Sequence, residues 1–157
     1  MLNLHRLFFH NSADDCYLSQ LTLPQIKRDM LQEGRRKIRE ALRDGIYKAT
    51  KAPPIESAIT PKFFTQGSWA YGTLNRATHV PPQQADMDDG CYLPMSFLKG
   101  EKPKRSAQLF FNVADTILQA LVKKEGWTGY SFDRDCCCRA IIDSEHHIDV
   151  PPILKRP

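Results

Sequence analysis

The stretch from Thr22 to Thr50 constrains the fold more than any other part of the chain. Ile26, Met30, Leu31, Ile38, Leu42 and Ile46 recur at helical spacing and predict one long helix with a single apolar face. Thr22-Leu23-Pro24-Gln25 has the pattern of a capping box, with a Thr cap, Pro in the first turn and Gln three residues on. Gly34 and Gly45 weaken the helix without ending it, and Ala52-Pro53-Pro54 stops it. Such a helix must lay its apolar face on another layer.

The remaining segments supply that layer. After an irregular lead-in over 1–20 and a linker over 52–62, Phe63-Phe64-Thr65 predicts a short strand ending at Gln66-Gly67-Ser68. Ser68 can cap a short helix reaching about Leu74, and Arg76 to Ala85 is a loop. A strand follows over Asp86–Met95, then a helix over Ser106–Glu125 with the face Leu109, Phe110, Val113, Ile117 and Leu121 and a stop at Gly126. Two strands close the chain, near Cys136–Ile142 and His147–Val150. The order implies an α+β fold, a mixed sheet with helices packed on it.

At 157 residues the chain fits one domain, and 41% hydrophobic with 25% charged residues excludes disorder, collagen and coiled-coil rods. No apolar run approaches the roughly 20 residues that span a bilayer, and Met1 to Phe9 has no secretory-signal pattern. Cys16, Cys91 and Cys136-Cys137-Cys138 are odd in number and lack C-x-x-C spacing. Consecutive strand residues point to opposite faces, so the run cannot chelate one zinc, and reduced thiols in the cytoplasm are expected.

Net charge is +4, but Lys27 to Lys51 alone carries nine basic and four acidic residues, leaving the rest at −1. A basic stripe on a helix can contact phosphate, including nucleic acid. It is more simply the solvated side of an amphipathic helix, and that reading is preferred here.

Three features bear on chemistry. Gln66-Gly67-Ser68 stands at a strand-to-helix turn, where free N–H groups can hold an anion or a Ser can merely cap. Asp86 and Asp88 are two apart on a strand, so both carboxylates project from one face while Met87 turns into the core. They read either as solvated acids or as a site for a hard divalent cation such as magnesium. Asp89 faces the other way and is assigned a structural or capping role. Asp149 lies on a late strand between Ile148 and Val150, where a lone acid wants a partner. Were its strand beside that of Asp86 and Asp88, three carboxylates would converge as in-line displacement at phosphorus requires. His146-His147 are not expected to chelate a metal, because neighbours on a strand diverge. Trp69 and Trp127 are expected in the core or in a cleft wall.

Taken in order, Thr60 to Arg76, Asp86 to Met95 and His147 to Pro151 resemble the bacterial cGAS/DncV-like nucleotidyltransferases, and among them the DncV-type cyclic GMP-AMP synthases of anti-phage (CBASS) signalling. The resemblance implies a polymerase-β-like nucleotidyltransferase core over 1–157, with a long N-terminal helix over about 22–50 and a catalytic sheet over about 60–152. It implies ATP and GTP as substrates, two Mg2+ ions as cofactors, and a cytoplasmic protein without a membrane partner. Asp86, Asp88 and Asp149 would be the metal-binding catalytic carboxylates. Gly67 and Ser68 would hold the donor triphosphate, Gln66 and Tyr71 would line the donor nucleotide, and Arg139 would face the acceptor. One ion, held by all three acids, would lower the pKa of the attacking hydroxyl; the other, held by Asp86 and Asp88, would neutralise the leaving pyrophosphate.

Relatives in this family carry a helical second lobe after the third acid, whereas the sequence stops at Lys155-Arg156-Pro157. The sequence is therefore read as a piece of a longer protein, a natural truncation, or one half of a two-piece assembly in which a C-terminal lobe or partner chain completes the cleft. Other readings remain: a single-transfer enzyme acting on protein, antibiotic or RNA, or an incomplete fragment that binds nucleotide or a partner without turnover.

Overall fold

The sheet is built on one ten-residue strand. In the computed structural model, which describes residues 17–51, 58–77, 79, 83–94, 103–134 and 137–155, the elements run α1 (Tyr17–Leu21), α2 (Gln25–Lys51), β1 (Lys62–Gln66), α3 (Gly67–Ala70), β2 (Ala85–Pro94), α4 (Pro103–Glu125), β3 (Gly129–Arg134), β4 (Cys137–Ile141), β5 (His146–Val150) and β6 (Pro152–Lys155). The strand order is β1-β2-β5-β4-β3, with β6 also paired to β2. Pairing is antiparallel for β1–β2, β3–β4 and β4–β5, and parallel for β2–β5 and β2–β6.

Helices α2 and α4 pack on each other and on one face of the sheet. Alternation along β2 sends Met87, Asp89, Cys91 and Leu93 to that face, where all are buried. Ile148 and Val150 of β5 and Cys138 and Ala140 of β4 join them, against Leu31, Ile38, Leu42 and Ile46 of α2 and Phe110, Ala114 and Leu118 of α4. Trp69 and Trp127 pack partly buried against this core. Truncating one of the fully buried leucines or isoleucines to Ala costs about 2–5 kcal/mol. The other face of the sheet carries the acids.

Several expectations change. The helix begins at Gln25, later than a Thr22 cap would set it: the Pro24 carbonyl accepts the first helical bonds, from Lys27 and Arg28, and Thr22 bridges to Asn75. Residues 17–21 form a helical turn rather than irregular chain, whereas the remainder of the lead-in, residues 1–16, lies outside the described residues together with 52–57 of the linker. Ile26, placed on the apolar face by its spacing, is 76% exposed because it lies about 140° around the helix from Leu31, off the buried stripe of Leu31, Gly34, Ile38, Leu42 and Ile46. Leu109 of α4 is likewise exposed, because the buried stripe runs through Phe110, Ala114, Leu118, Leu121 and Val122.

The glycines of α2 mark close approaches. A Cβ at Gly34 would meet Ile148 Cδ1 at 3.0 Å, and one at Gly45 would run into the Ile117 side chain of α4.

Among the described residues four strands, not two, follow α4. Gly129–Arg134 carries the period-two alternation of a strand, with Tyr130 and Phe132 against Ser131 and Asp133, so it was legible in the sequence; it pairs with β4 through a register shift between Ser131 and Arg134. Pro151-Pro152 does not end the sheet. It divides one extended run into β5 and β6, and the Pro151 carbonyl accepts from the Cys91 N–H across the break.

Candidate active site

Register places the acids. Strand β5 runs parallel to β2 with Asp86 opposite His147 and Asp88 opposite Asp149, so all four side chains share the face not covered by helices. Asp86 and Asp88 are half-buried, and His147 and Asp149 are buried. Asp86, His147 and Asp149 each offer a ligand atom within 4.8 Å of the others.

The turn at Gln66-Gly67-Ser68 closes one side. Gly67 has φ +61°, and a Cβ there would run into the Asp88 carboxylate, so only glycine lets the chain turn against that acid. Ser68 does not cap: Gln66 occupies the N-cap position of α3 without a side-chain bond, and the Ser68 hydroxyl donates to the Asp86 carbonyl at 3.4 Å. The short helix ends at Ala70, not near Leu74. Gln66 lies opposite Asp88 in the β1–β2 register, and its amide nitrogen donates to the Tyr92 hydroxyl. The Tyr92 ring meets Phe64 edge-on at 5.2 Å. Tyr71 follows α3 and is 82% exposed.

Arg139 stands opposite Asp149 in the β4–β5 register and donates to both its oxygens, Nε to Oδ1 and Nη2 to Oδ2, each at 2.7 Å. The sequence left that bidentate pair unforeseen.

The electrostatics are unbalanced. Burial, and then the neighbouring carboxylates of Asp86 and Asp149, hold the Asp88 carboxyl above the usual carboxylate range, with His147 and Arg139 opposing. Two buried atoms of the cluster, Asp86 Oδ1 and His147 Nε2, have no hydrogen-bond partner. They lie 3.1 Å apart, and His147 Nε2 is 3.9 Å from Asp149 Oδ1. Converging lone pairs beside repelling carboxylates fit a divalent cation.

The family model described as "Cyclic GMP-AMP synthase DncV-like, nucleotidyltransferase domain" matches residues 61–152, more than half of the chain. The chain belongs to the DncV-like nucleotidyltransferase family. A cyclic GMP-AMP synthase of Vibrio cholerae is 42% identical over 95 residues, 59% of this chain and 21% of the relative. One from Escherichia coli is 42% identical over 93 residues, 58% of this chain and again 21% of the relative. The solved Vibrio cholerae di-nucleotide cyclase DncV superposes with TM-score 0.78 at 27% identity, covering 98% of this chain and 51% of that one. Its GTP-bound form gives TM-score 0.73 at 27% identity, over 97% and 51%. The chain thus spans about half the length of the solved relatives, and its fold is the polymerase-β-like nucleotidyltransferase core of DncV-like proteins.

His147 is the residue that sequence reasoning missed. The divergence of adjacent side chains does separate it from His146, whose Nδ1 faces Asp143 at 2.7 Å. The same period of two, applied from Asp149 back to His147, puts both on the acidic face.

The basic stripe lies largely bound within the chain. Lys27 pairs with Asp143 and Glu145, Arg36 with Glu33 and Glu40, Lys37 with Glu125 and Arg39 with Asp89. Arg28 lies over Trp69 and Arg43 over Phe63. Cys91, Cys137 and Cys138 are free thiols, and burial pushes Cys138 up to about 11; Cys16 and Cys136 lie outside the described residues. No helix among the described residues is long and apolar enough to cross a membrane.

Proposed function

We propose that this chain is the catalytic core of a nucleotidyltransferase that joins ATP and GTP into a cyclic dinucleotide, cyclic GMP-AMP by its similarity to DncV. The observation that supports it best is the register of β2 against β5, which sets Asp86 and Asp88 beside Asp149 next to the Gly67 turn. Asp86, Asp88 and Asp149 would hold Mg2+, which when bound supplies charge neutralisation at the triphosphate and a lowered pKa for the attacking hydroxyl. Gly67 and Ser68 would receive the donor triphosphate, with no Cβ at 67 to obstruct Asp88. Exposed Tyr71 is free to stack on the donor base, and Gln66, steadied by Tyr92, would line the same nucleotide. Arg139 would face the acceptor while orienting Asp149, whose oxygens keep one lone pair each beyond the two arginine bonds. Two successive transfers would close the ring. A role in cytoplasmic anti-phage signalling goes with that product.

A second reading, nucleotide binding without turnover until a C-terminal lobe or partner chain completes the cleft, is favoured by the chain spanning half of the solved relatives. Incubation with labelled ATP, GTP and Mg2+, with products read by mass, tests both. The first reading expects a cyclic dinucleotide that Asp86→Asn and Asp88→Asn each reduce by about a thousandfold or more, about 4 kcal/mol in barrier, with the fold retained. Nucleotide binding without product supports the second reading. Full activity in either variant overturns the assignment.

A further inference from the structure

His147 is held in one tautomer by groups outside the acidic cluster. The Gln84 amide nitrogen donates to two backbone carbonyls, Asp143 O at 3.3 Å and Ser144 O at 3.1 Å. Carbonyls only accept, so the amide cannot be reversed, and Gln84 Oε1 is left facing His147 Nδ1 at 2.9 Å. An amide oxygen also only accepts. Nδ1 must therefore carry the hydrogen, and the neutral ring has its bare lone pair at Nε2.

That lone pair is buried and aimed at the acids. His147 is 6% exposed, and neither Nε2 nor its neighbour Asp86 Oδ1 has a hydrogen-bond partner. A nitrogen lone pair 3.1 Å from a carboxylate oxygen is repulsive unless a proton or a metal ion draws both, and the two atoms are not aligned for a hydrogen bond, which favours the metal ion. Donation of the opposite ring N–H to a carbonyl oxygen is also the arrangement that orients metal-bound histidines and raises their basicity. His146 shows the contrast, since its Nδ1 is spent on Asp143 on the other side of β5.

We propose that His147 Nε2 is a ligand to the divalent cation held by Asp86 and Asp149, positioned for that task by Gln84. The proposal rests on the metal-dependent reading above and adds a nitrogen donor to a site otherwise made of carboxylates. Imidazole suits the first-row transition ions better than magnesium, so this nitrogen shifts the selectivity of the site away from magnesium and toward them, least for manganese at the weak end of the series.

The test uses Mn2+ alone as the probe and pulsed electron paramagnetic resonance as the readout, on the 157-residue chain. Mn2+ bound to the wild-type protein should show a nitrogen coupling that changes from 14N to 15N when only histidine is labelled, a result that needs no substitution. Asp86→Asn should abolish that bound signal, locating it in the cluster. His147→Gln should remove the coupling and lower the ratio of Mn2+ to Mg2+ affinity by about tenfold or more. Mn2+ bound at the cluster without a histidine nitrogen, or an unchanged affinity ratio in a folded His147→Gln protein, overturns the proposal while leaving the metal-dependent reading intact. Absence of any Mn2+ binding overturns both.

Discussion

Two arginine–aspartate pairs flank the sheet, one on each face, and they differ in what surrounds them. On the helix side Asp89 is fully buried and accepts from Arg39 Nε at 2.7 Å, Arg39 Nη2 at 2.5 Å and the Thr65 hydroxyl at 3.0 Å. Thr65 in turn accepts from Arg35 and Arg39, so every polar group there has a partner. On the open side Arg139 grips Asp149 just as closely, yet Asp86, Asp88 and His147 crowd the same space, and the opposition of His147 and Arg139 does not offset burial and the neighbouring acids at Asp88. Neighbouring acids of one strand therefore have opposite fates. Asp89 is complete within the chain, whereas Asp86 and Asp88 are complete only with something added. The first arrangement stabilises the fold, and the second keeps a reactive surface at a cost in repulsion.

The largest effect should come from breaking the saturated side. Arg39→Ala strands the Asp89 carboxylate in the core and should cost about 3–5 kcal/mol in urea unfolding. Added Mg2+ should not restore that loss, because the orphaned charge lies under α2, away from the cation site. Recovery with Mg2+ would mean that the two faces are not independent.

Arg139→Ala sharpens the contrast. In chelator it should destabilise by about 1–3 kcal/mol, because Asp149 loses two charge-assisted bonds beside other acids. Here millimolar Mg2+ should return most of the stability, since a cation can replace the guanidinium. Equal losses with and without Mg2+ would leave Arg139 a purely structural partner of Asp149.

Much of this division was legible in the sequence, and its gaps have physical causes. A period of two assigned Met87 and Asp89 to the core side and Asp86 and Asp88 to the other, as the structure bears out. The two main helices followed from their apolar spacing, although that spacing does not fix which edge of the apolar face turns to solvent, hence exposed Ile26 and Leu109 beside buried Leu23 and Phe110. Partners from distant segments were not legible. Nothing local to Asp89 announces Arg39, fifty residues earlier, and nothing local to His147 announces Gln84. Cross-strand register alone joins Arg139 to Asp149.

Gly67→Ala acts on the open side alone. Left-handed backbone at a non-glycine residue costs roughly 1–2 kcal/mol, and the added methyl must also push the Asp88 carboxylate aside. Thermal unfolding should register the first cost. Mg2+ affinity should register the second, as a loss larger than the stability change accounts for. A variant with weakened folding but unaltered Mg2+ binding would show that Gly67 shapes the turn and not the acid.

The smallest effect is a pH dependence of the metal-free protein. The Asp88 carboxyl is held above its ordinary value by burial and by Asp86 and Asp149. Between the unfolded and folded pKa values the native state binds more protons than the unfolded chain, so stability falls as pH rises through that window. Ionised Asp88 thus opposes folding at neutral pH, and its protonation relieves the repulsion as pH falls. Asp88→Asn lacks the charge at every pH. In chelator the variant should be at least as stable as the wild type at pH 7, with the difference in urea midpoint shrinking as pH falls toward the ordinary carboxylate range. Saturating Mg2+ at pH 7 should reverse the order, because only the wild type keeps the full set of carboxylates. Asp143 provides the opposite sign: burial alone would raise its carboxyl, but bonds from His146 and the Glu145 N–H hold it below the usual range, so its contribution is lost as pH falls. A gap between wild type and Asp88→Asn that stays constant with pH would mean that Asp88 is compensated within the chain, as Asp89 is, and the contrast between the two faces would fail at its central residue.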